Sequence, residues 1–184
     1  QPENVHVDAV QQTGSWCNVY TDGTQKSISR DVFNLWIDHG SGPKSASYAY
    51  MIKPGIDQER FSELLKSPTV HILSNTTEVQ AIQDEDAGLT QIVFYKEGNL
   101  RIDGNNEITV NTPCMIMVQR VTQGLKMTVA VPPELPNDVS ITMMGHYEGK
   151  HCNYDNKKKE TTIAFTLPDG IQAGKSVSRI LMKD

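Results

Sequence analysis

Short runs of alternating apolar and polar residues recur along most of this chain, divided by Gly, Pro, Asn and Asp. Val139-Ser-Ile-Thr-Met143 alternates cleanly, as do Leu89–Tyr95, Leu125–Val131 and Thr161–Leu167. Successive side chains of a strand point to opposite faces, so a period of two predicts strands with one face in a core. Met115-Ile-Met-Val118 is apolar on both faces and is expected to be a central strand. Further strands are expected over Val70–Leu73, Glu78–Ile82, Ile108–Val110 and Ser176–Met182, with Gly98-Asn99 read as punctuation. His146 to Lys159 is polar and reads as a loop with Lys157-Lys-Lys159 at a hairpin tip. Turn signals at intervals of roughly ten residues with short alternating strands predict an antiparallel β-sandwich.

The first third is patterned differently. Val5–Val10 reads as an incoming strand, followed by turn chemistry at Thr13-Gly-Ser-Trp16 and Thr21-Asp-Gly23. Val32–Ile37 is the next strand. Phe33, Leu35 and Ile37 face one way, and Val32 and Trp36 the other, so both faces are expected to be covered by layers. After a Gly/Pro/Ser loop, Tyr48, Tyr50 and Ile52 alternate as a returning strand that ends at Pro54-Gly55. The period then changes. Phe61, Leu64 and Leu65 stand at i, i+3, i+4, Asp57 is a good N-cap, and Ser67-Pro68 is a stop, which predicts one short helix held by packing.

Composition narrows the class. With 38% hydrophobic and 21% charged residues, the 184-residue chain should fold into a globular structure. The net charge of −5 argues against a nucleic-acid partner. No apolar run approaches the length that spans a bilayer, so no membrane partner is expected. Gln1-Pro-Glu-Asn lacks the basic start and apolar core of a signal peptide and there is no initiator Met, so the chain reads as processed or cut from something longer. Cys17, Cys114 and Cys152 lie far apart without a Cys-x-x-Cys pair and are expected to be free thiols.

Candidate chemistry is sparse. His39 is the obvious general base, but its neighbour Asp38 on a strand would point to the opposite face and could not orient it. His39 is therefore expected to hydrogen-bond a loop carbonyl at a strand end. His146, Glu148, His151, Cys152 and Asp155 combine donors that suit zinc. Their spacing matches no ligand pattern and lysines lie close by, so a polar hairpin is the expectation. Asp84, Glu85 and Asp86 lack the alternating oxygen ligands of a calcium loop and read as a solvated turn. Lys157, Lys158 and Lys159 could meet an anionic polymer, although a lysine tip more often protects an edge. Trp16, Tyr48 and Tyr50 could stack on sugar rings, although strand aromatics more often fill a core. The residues alone thus indicate an all-β protein with no self-contained active site: no catalytic residue, no metal ligand and no cofactor, with substrate-binding residues unassigned.

One string goes further. Leu35-Trp-Ile-Asp-His39-Gly40, then Pro43, Tyr48-Ala-Tyr50 and Pro54, resembles the polysaccharide lyases of family 8, which include chondroitin AC, hyaluronate and xanthan lyases. Thr13-Gly-Ser-Trp16, Val70-His-Ile-Leu73, Val79-Gln-Ala-Ile82, Val93-Phe-Tyr95 and Thr112-Pro-Cys-Met115 are similar to the same family. The resemblance implies an N-terminal α/α toroid, a central β-supersandwich and a small C-terminal β-sandwich. On that plan residues 1–66 end the supersandwich and residues 67–184 form the C-terminal sandwich, with the helix between them. It further implies a secreted or periplasmic parent enzyme that cleaves uronic-acid-containing glycosaminoglycans such as chondroitin sulfate or hyaluronan by β-elimination. The family's catalytic Asn, His, Tyr and Arg lie on the toroid, so none is transferred here; His39, Tyr48 and Tyr50 are not those residues. The expected partners are an acidic polysaccharide, met through the parent enzyme, and the toroid domain. A stand-alone carbohydrate-binding β-sandwich is the alternative.

Overall fold

A computed structural model describes residues 4–104 and 106–183, without the side chain of Asp103. The reading of Gln1-Pro-Glu as other than a signal peptide falls outside the described residues. Packing divides the chain into two compact units, Gln1–Lys53 and Pro54–Asp184.

In the first unit, strands β1 (Val5–Gly14) and β2 (Ile28–Ile37) form an antiparallel ribbon, joined by a segment with a single 3-10 turn at Trp16–Asn18. The register pairs Val5 with Ile37 and runs without a break to Gly14 and Ile28. Two expectations are corrected. Tyr48–Lys53 is not a strand; β2 takes its ladder from β1. Alternation reports which face a side chain would take, but a strand also needs a partner for its backbone N–H and C=O groups. The ribbon also does not bury both faces, since Val7, Val10, Phe33, Leu35 and Trp36 are all exposed. Among the described residues of this unit it is a two-stranded sheet with no second sheet to cover it, and such a ribbon cannot make a core by itself.

The second unit opens with helix α1 (Gln58–Lys66). Asp57 caps it as expected: its Oδ1 accepts from the Arg60 N–H at 2.8 Å. Glu59 in the first turn and Lys66 in the last suit the helix dipole. The apolar stripe differs from expectation, because Phe61 and Leu65 are exposed and no residue of α1 is buried.

Among the described residues twelve strands follow: β3 (Val70–Asn75), β4 (Val79–Asp84), β5 (Leu89–Phe94), β6 (Gly98–Asp103), β7 (Asn106–Val110), β8 (Cys114–Val121), β9 (Gly124–Ala130), β10 (Asp138–Met144), β11 (Tyr147–Glu148), β12 (Cys152–Asp155), β13 (Glu160–Thr166) and β14 (Val177–Lys183). They make a seven-stranded sheet, β11-β14-β9-β8-β5-β4-β3, and a five-stranded sheet, β12-β13-β10-β7-β6. The strands pair antiparallel, as the sequence pattern predicts. β8 is the middle strand of the larger sheet, in line with its two apolar faces. The sheets share one core. Ile92, Ile116, Met127, Val129 and Leu181 of the larger sheet meet Ile108, Val139, Ile141, Ile163 and Phe165 of the smaller, all buried. Burying an aliphatic side chain is worth about 1.5–3 kcal/mol, so this alternation accounts for most of the drive to close the sandwich.

Candidate functional site

The string from Asp38 to Tyr50 sits beyond the end of β2 in a loop with Gly40 at φ +73° and Gly42 at φ +65°. Left-handed backbone is open to glycine without a Cβ penalty, which explains both residues. Asp38, not His39, fastens this loop: its Oδ1 accepts the Gly40 N–H at 2.7 Å, and its own N–H donates to the Asn4 carbonyl at 2.8 Å. Among the described residues the His39 ring has no hydrogen bond; it lies 6.0 Å from the Tyr48 ring, tilted by 37°. The expected bond from His39 to a loop carbonyl is thus replaced by an Asx turn of its neighbour. No carboxylate among the described residues orients the imidazole.

What the first unit presents is exposed aromatic surface. Tyr48 and Tyr50 lie nearly parallel, 6.4 Å apart and 12° out of plane, and both are exposed. His6 stacks on Trp36 across the ribbon at 5.1 Å. Trp16 faces Tyr20 at 6.4 Å and is also exposed. Planar rings at the surface can stack on the C–H face of a sugar or on another sheet. The expectation that strand aromatics fill a core does not hold for these residues.

The candidate zinc donors are not brought together. His146 stacks on Tyr154 at 4.3 Å; His151 stands at φ +61° with its carbonyl accepting from the Ala164 N–H. Cys152 has its thiol pKa raised by burial, against a lowering from Arg179. Among the described residues no three of His, Cys, Asp and Glu converge as a metal site. Asp84 accepts the Ala87 N–H within its turn, and Glu85 lies 3.4 Å from His71 Nε2. Lys157–Lys159 do form a tip, between β12 and β13, with the Lys157 and Lys158 N–H groups held by Asp155 Oδ1. All three cysteines are free.

The comparisons with known proteins give two family matches, which meet between residues 65 and 71 and not at the packing division after Lys53. Residues 1–65 match the super-sandwich domain of polysaccharide lyase family 8, and residues 71–137 match the family's C-terminal β-sandwich domain. The chain belongs to polysaccharide lyase family 8. The chondroitinase-AC of Pedobacter heparinus is 30% identical over 118 residues, covering 64% of this chain and 17% of that enzyme. A xanthan lyase of Bacillus is 26% identical over 171 residues, covering 90% and 18%. A solved chondroitinase AC lyase, studied in oligosaccharide complexes, superposes with a TM-score of 0.74 at 23% identity, over 96% of this chain and 26% of that one. The chain therefore spans under a fifth of the length of these curated relatives, and it shares the β-sandwich portion of the lyase fold.

Within that family framework, two residues were not singled out by sequence although a signal existed. Residues 114, 116 and 118 form the inward rail of β8, and the next inward position is Arg120; residues 177, 179 and 181 do the same on β14, leading to Lys183. Arg120 and Lys183 each follow the last buried residue of their rail, Val118 and Leu181, at the strand end, whereas Arg179 lies within its rail over Phe165.

Proposed function

We propose that this chain is the non-catalytic C-terminal β portion of a secreted or periplasmic family 8 lyase that cleaves uronic-acid-containing glycosaminoglycans by β-elimination. The observation that supports it best is the order of the two family matches along one chain, super-sandwich then C-terminal sandwich. The site chemistry agrees: His39 has an aromatic neighbour in place of an orienting carboxylate, and no acid–base pair accompanies it among the described residues. In this reading the catalytic groups and the toroid lie in the rest of the parent enzyme, and the exposed faces of the ribbon pack against further supersandwich strands.

The test is a pair of assays. Purified alone, the chain should release no unsaturated uronate from chondroitin sulfate or hyaluronan. Joined behind the N-terminal and central parts of Pedobacter heparinus chondroitinase-AC, in place of that enzyme's own C-terminal part, it should support elimination. Product from the chain alone, or a folded but inactive chimera, would count against the proposal. Export of the full parent protein, followed by cell fractionation, tests the location.

A carbohydrate-binding module is the second reading, favoured by exposed Trp16, Tyr48 and Tyr50. It requires saturable oligosaccharide binding that weakens in Trp16→Ala or Tyr48→Ala.

A further inference from the structure

One end of the sandwich is open between its sheets, where the β4–β5 turn, the β8–β9 turn and the last residue of β14 come together. A cavity of about 720 Å³ lies there, within the roughly 300–1,000 Å³ usual for small-molecule sites. Its floor is apolar, built from Ile102, Val118, Leu125 and Met143. Its rim carries both signs of charge: Asp84 and Glu85 on one strand end, Arg120 and Lys183 on two others.

The carboxylates lie at the β4–β5 turn, where Asp84 accepts the Ala87 N–H at 3.1 Å and Glu85 stands 3.4 Å from His71 Nε2. Arg120 and Lys183 have no hydrogen bond or ion pair from their side chains among the described residues. Gly88 sets the Arg120 stem in place, since a Cβ there would come within 3.3 Å of the Arg120 Cβ. Thr90 adds a third group. It lines the cavity, is only 7% exposed, and its hydroxyl has no hydrogen-bond partner among the described residues. Two unpaired cations, a free hydroxyl and an apolar floor suit a ring with an apolar C–H face and a carboxylate or sulfate on its edge.

We propose that this cavity is a binding site for an acidic saccharide, with Arg120 and Lys183 on the anionic group, Thr90 on a sugar oxygen and the apolar floor under the ring. The choice of a saccharide among organic anions rests on the lyase reading above. In this role the site would hold acidic chain ends or products near the enzyme.

The test titrates the whole 184-residue chain with a sulfated chondroitin disaccharide, lactose and sodium sulfate, followed by amide NMR shifts. The disaccharide should move the Thr90, Arg120 and Lys183 amides saturably, and lactose should not. Arg120→Ala should weaken binding about tenfold or more, as expected for loss of a charge-assisted hydrogen bond. Thr90→Val should weaken it less. The thermal midpoint of each variant checks folding; if Arg120→Ala fails to fold, Arg120→Gln and Lys183→Ala replace it. No saturable shift, equal binding of lactose, or binding indifferent to these variants overturns the proposal. Sulfate binding as tightly as the disaccharide also overturns it, leaving a simple anion pocket. None of these failures touches the chimera assay, which tests the lyase reading separately.

Discussion

The Arg179 guanidinium lies over the ring of Phe165, 4.5 Å from its centroid, and so joins the two sheets of the sandwich. Arg179 belongs to β14 of the larger sheet and Phe165 to β13 of the smaller. The same side chain donates from Nη1 to the Lys150 carbonyl at 2.9 Å and to the Ala164 carbonyl. A planar cation can stack and donate sideways at once, which an ammonium cannot. Arg179→Lys is therefore expected to destabilise the chain by about 1–3 kcal/mol, the range for losing a charged hydrogen bond together with a cation–π contact. Urea unfolding at neutral pH measures it. A loss no larger than that of a surface substitution would show that the contact is incidental.

Two glycines separate backbone strain from crowding. Gly40 stands at φ +73° with nothing within 4 Å of where a Cβ would stand, whereas Gly124 stands at φ +139° with the Leu181 carbonyl oxygen in the place a Cβ would need. Gly40→Ala should cost about 1–2 kcal/mol, the penalty of left-handed backbone for an L residue. Gly124→Ala must in addition push the β8–β9 turn off β14, and its cost should be larger by at least as much again. Paired thermal or urea unfolding ranks the two, and an equal cost would refute the crowding argument.

The loop after β2 yields a sharper ranking than sequence alone allowed. Since Asp38 accepts the Gly40 N–H and His39 has only the Tyr48 ring beside it, Asp38→Ala should lose about 1 kcal/mol and His39→Ala less than that. The reverse order of unfolding midpoints would restore the histidine as the fastening residue.

That reversal shows what the sequence carries. The strands that alternate and also find partners, such as Val139–Met143 and Thr161–Leu167, are legible because burial imposes a period of two. The helix is legible because Asp57 and Pro68 bracket it with local chemistry. Strand β6 escapes notice because Gly98-Asn99 looks like a turn, although Leu100 behind it is buried. β11 and β12 escape because two and four residues are too few for a period to register. Tyr48–Ile52 misleads in the opposite direction: it alternates but belongs to no strand. The cavity at the end of the sandwich is hidden for another reason. Thr90, Arg120 and Lys183 are brought together by sheet order, which no local pattern encodes. Family resemblance was legible because it rests on a string of identities and not on periodicity.

The buried thiol of Cys114 supplies the last prediction. Burial in the core pushes its pKa from 9.0 up to about 12. Charging it inside the sandwich would place an anion among Ile116, Val129 and Ile92 with nothing to pair it. The sign follows from proton binding. Below the unfolded-state pKa both states hold the proton, and stability does not depend on this group. Above it the unfolded chain releases the proton while the folded chain keeps it, so unfolding becomes more favourable with rising pH. The loss should begin near pH 9 and continue toward 12, with a slope of at most about 1.4 kcal/mol per pH unit from this one group. Cys114→Val removes the thiol and keeps an apolar side chain of similar size, so its stability should fall less steeply over that window. Urea midpoints for both proteins at pH 7, 9 and 10 would reveal the difference, and parallel curves would mean that the native core admits the thiolate. Native-state alkylation gives an independent check: at pH 8 Cys114 should stay unmodified until urea unfolds the sandwich.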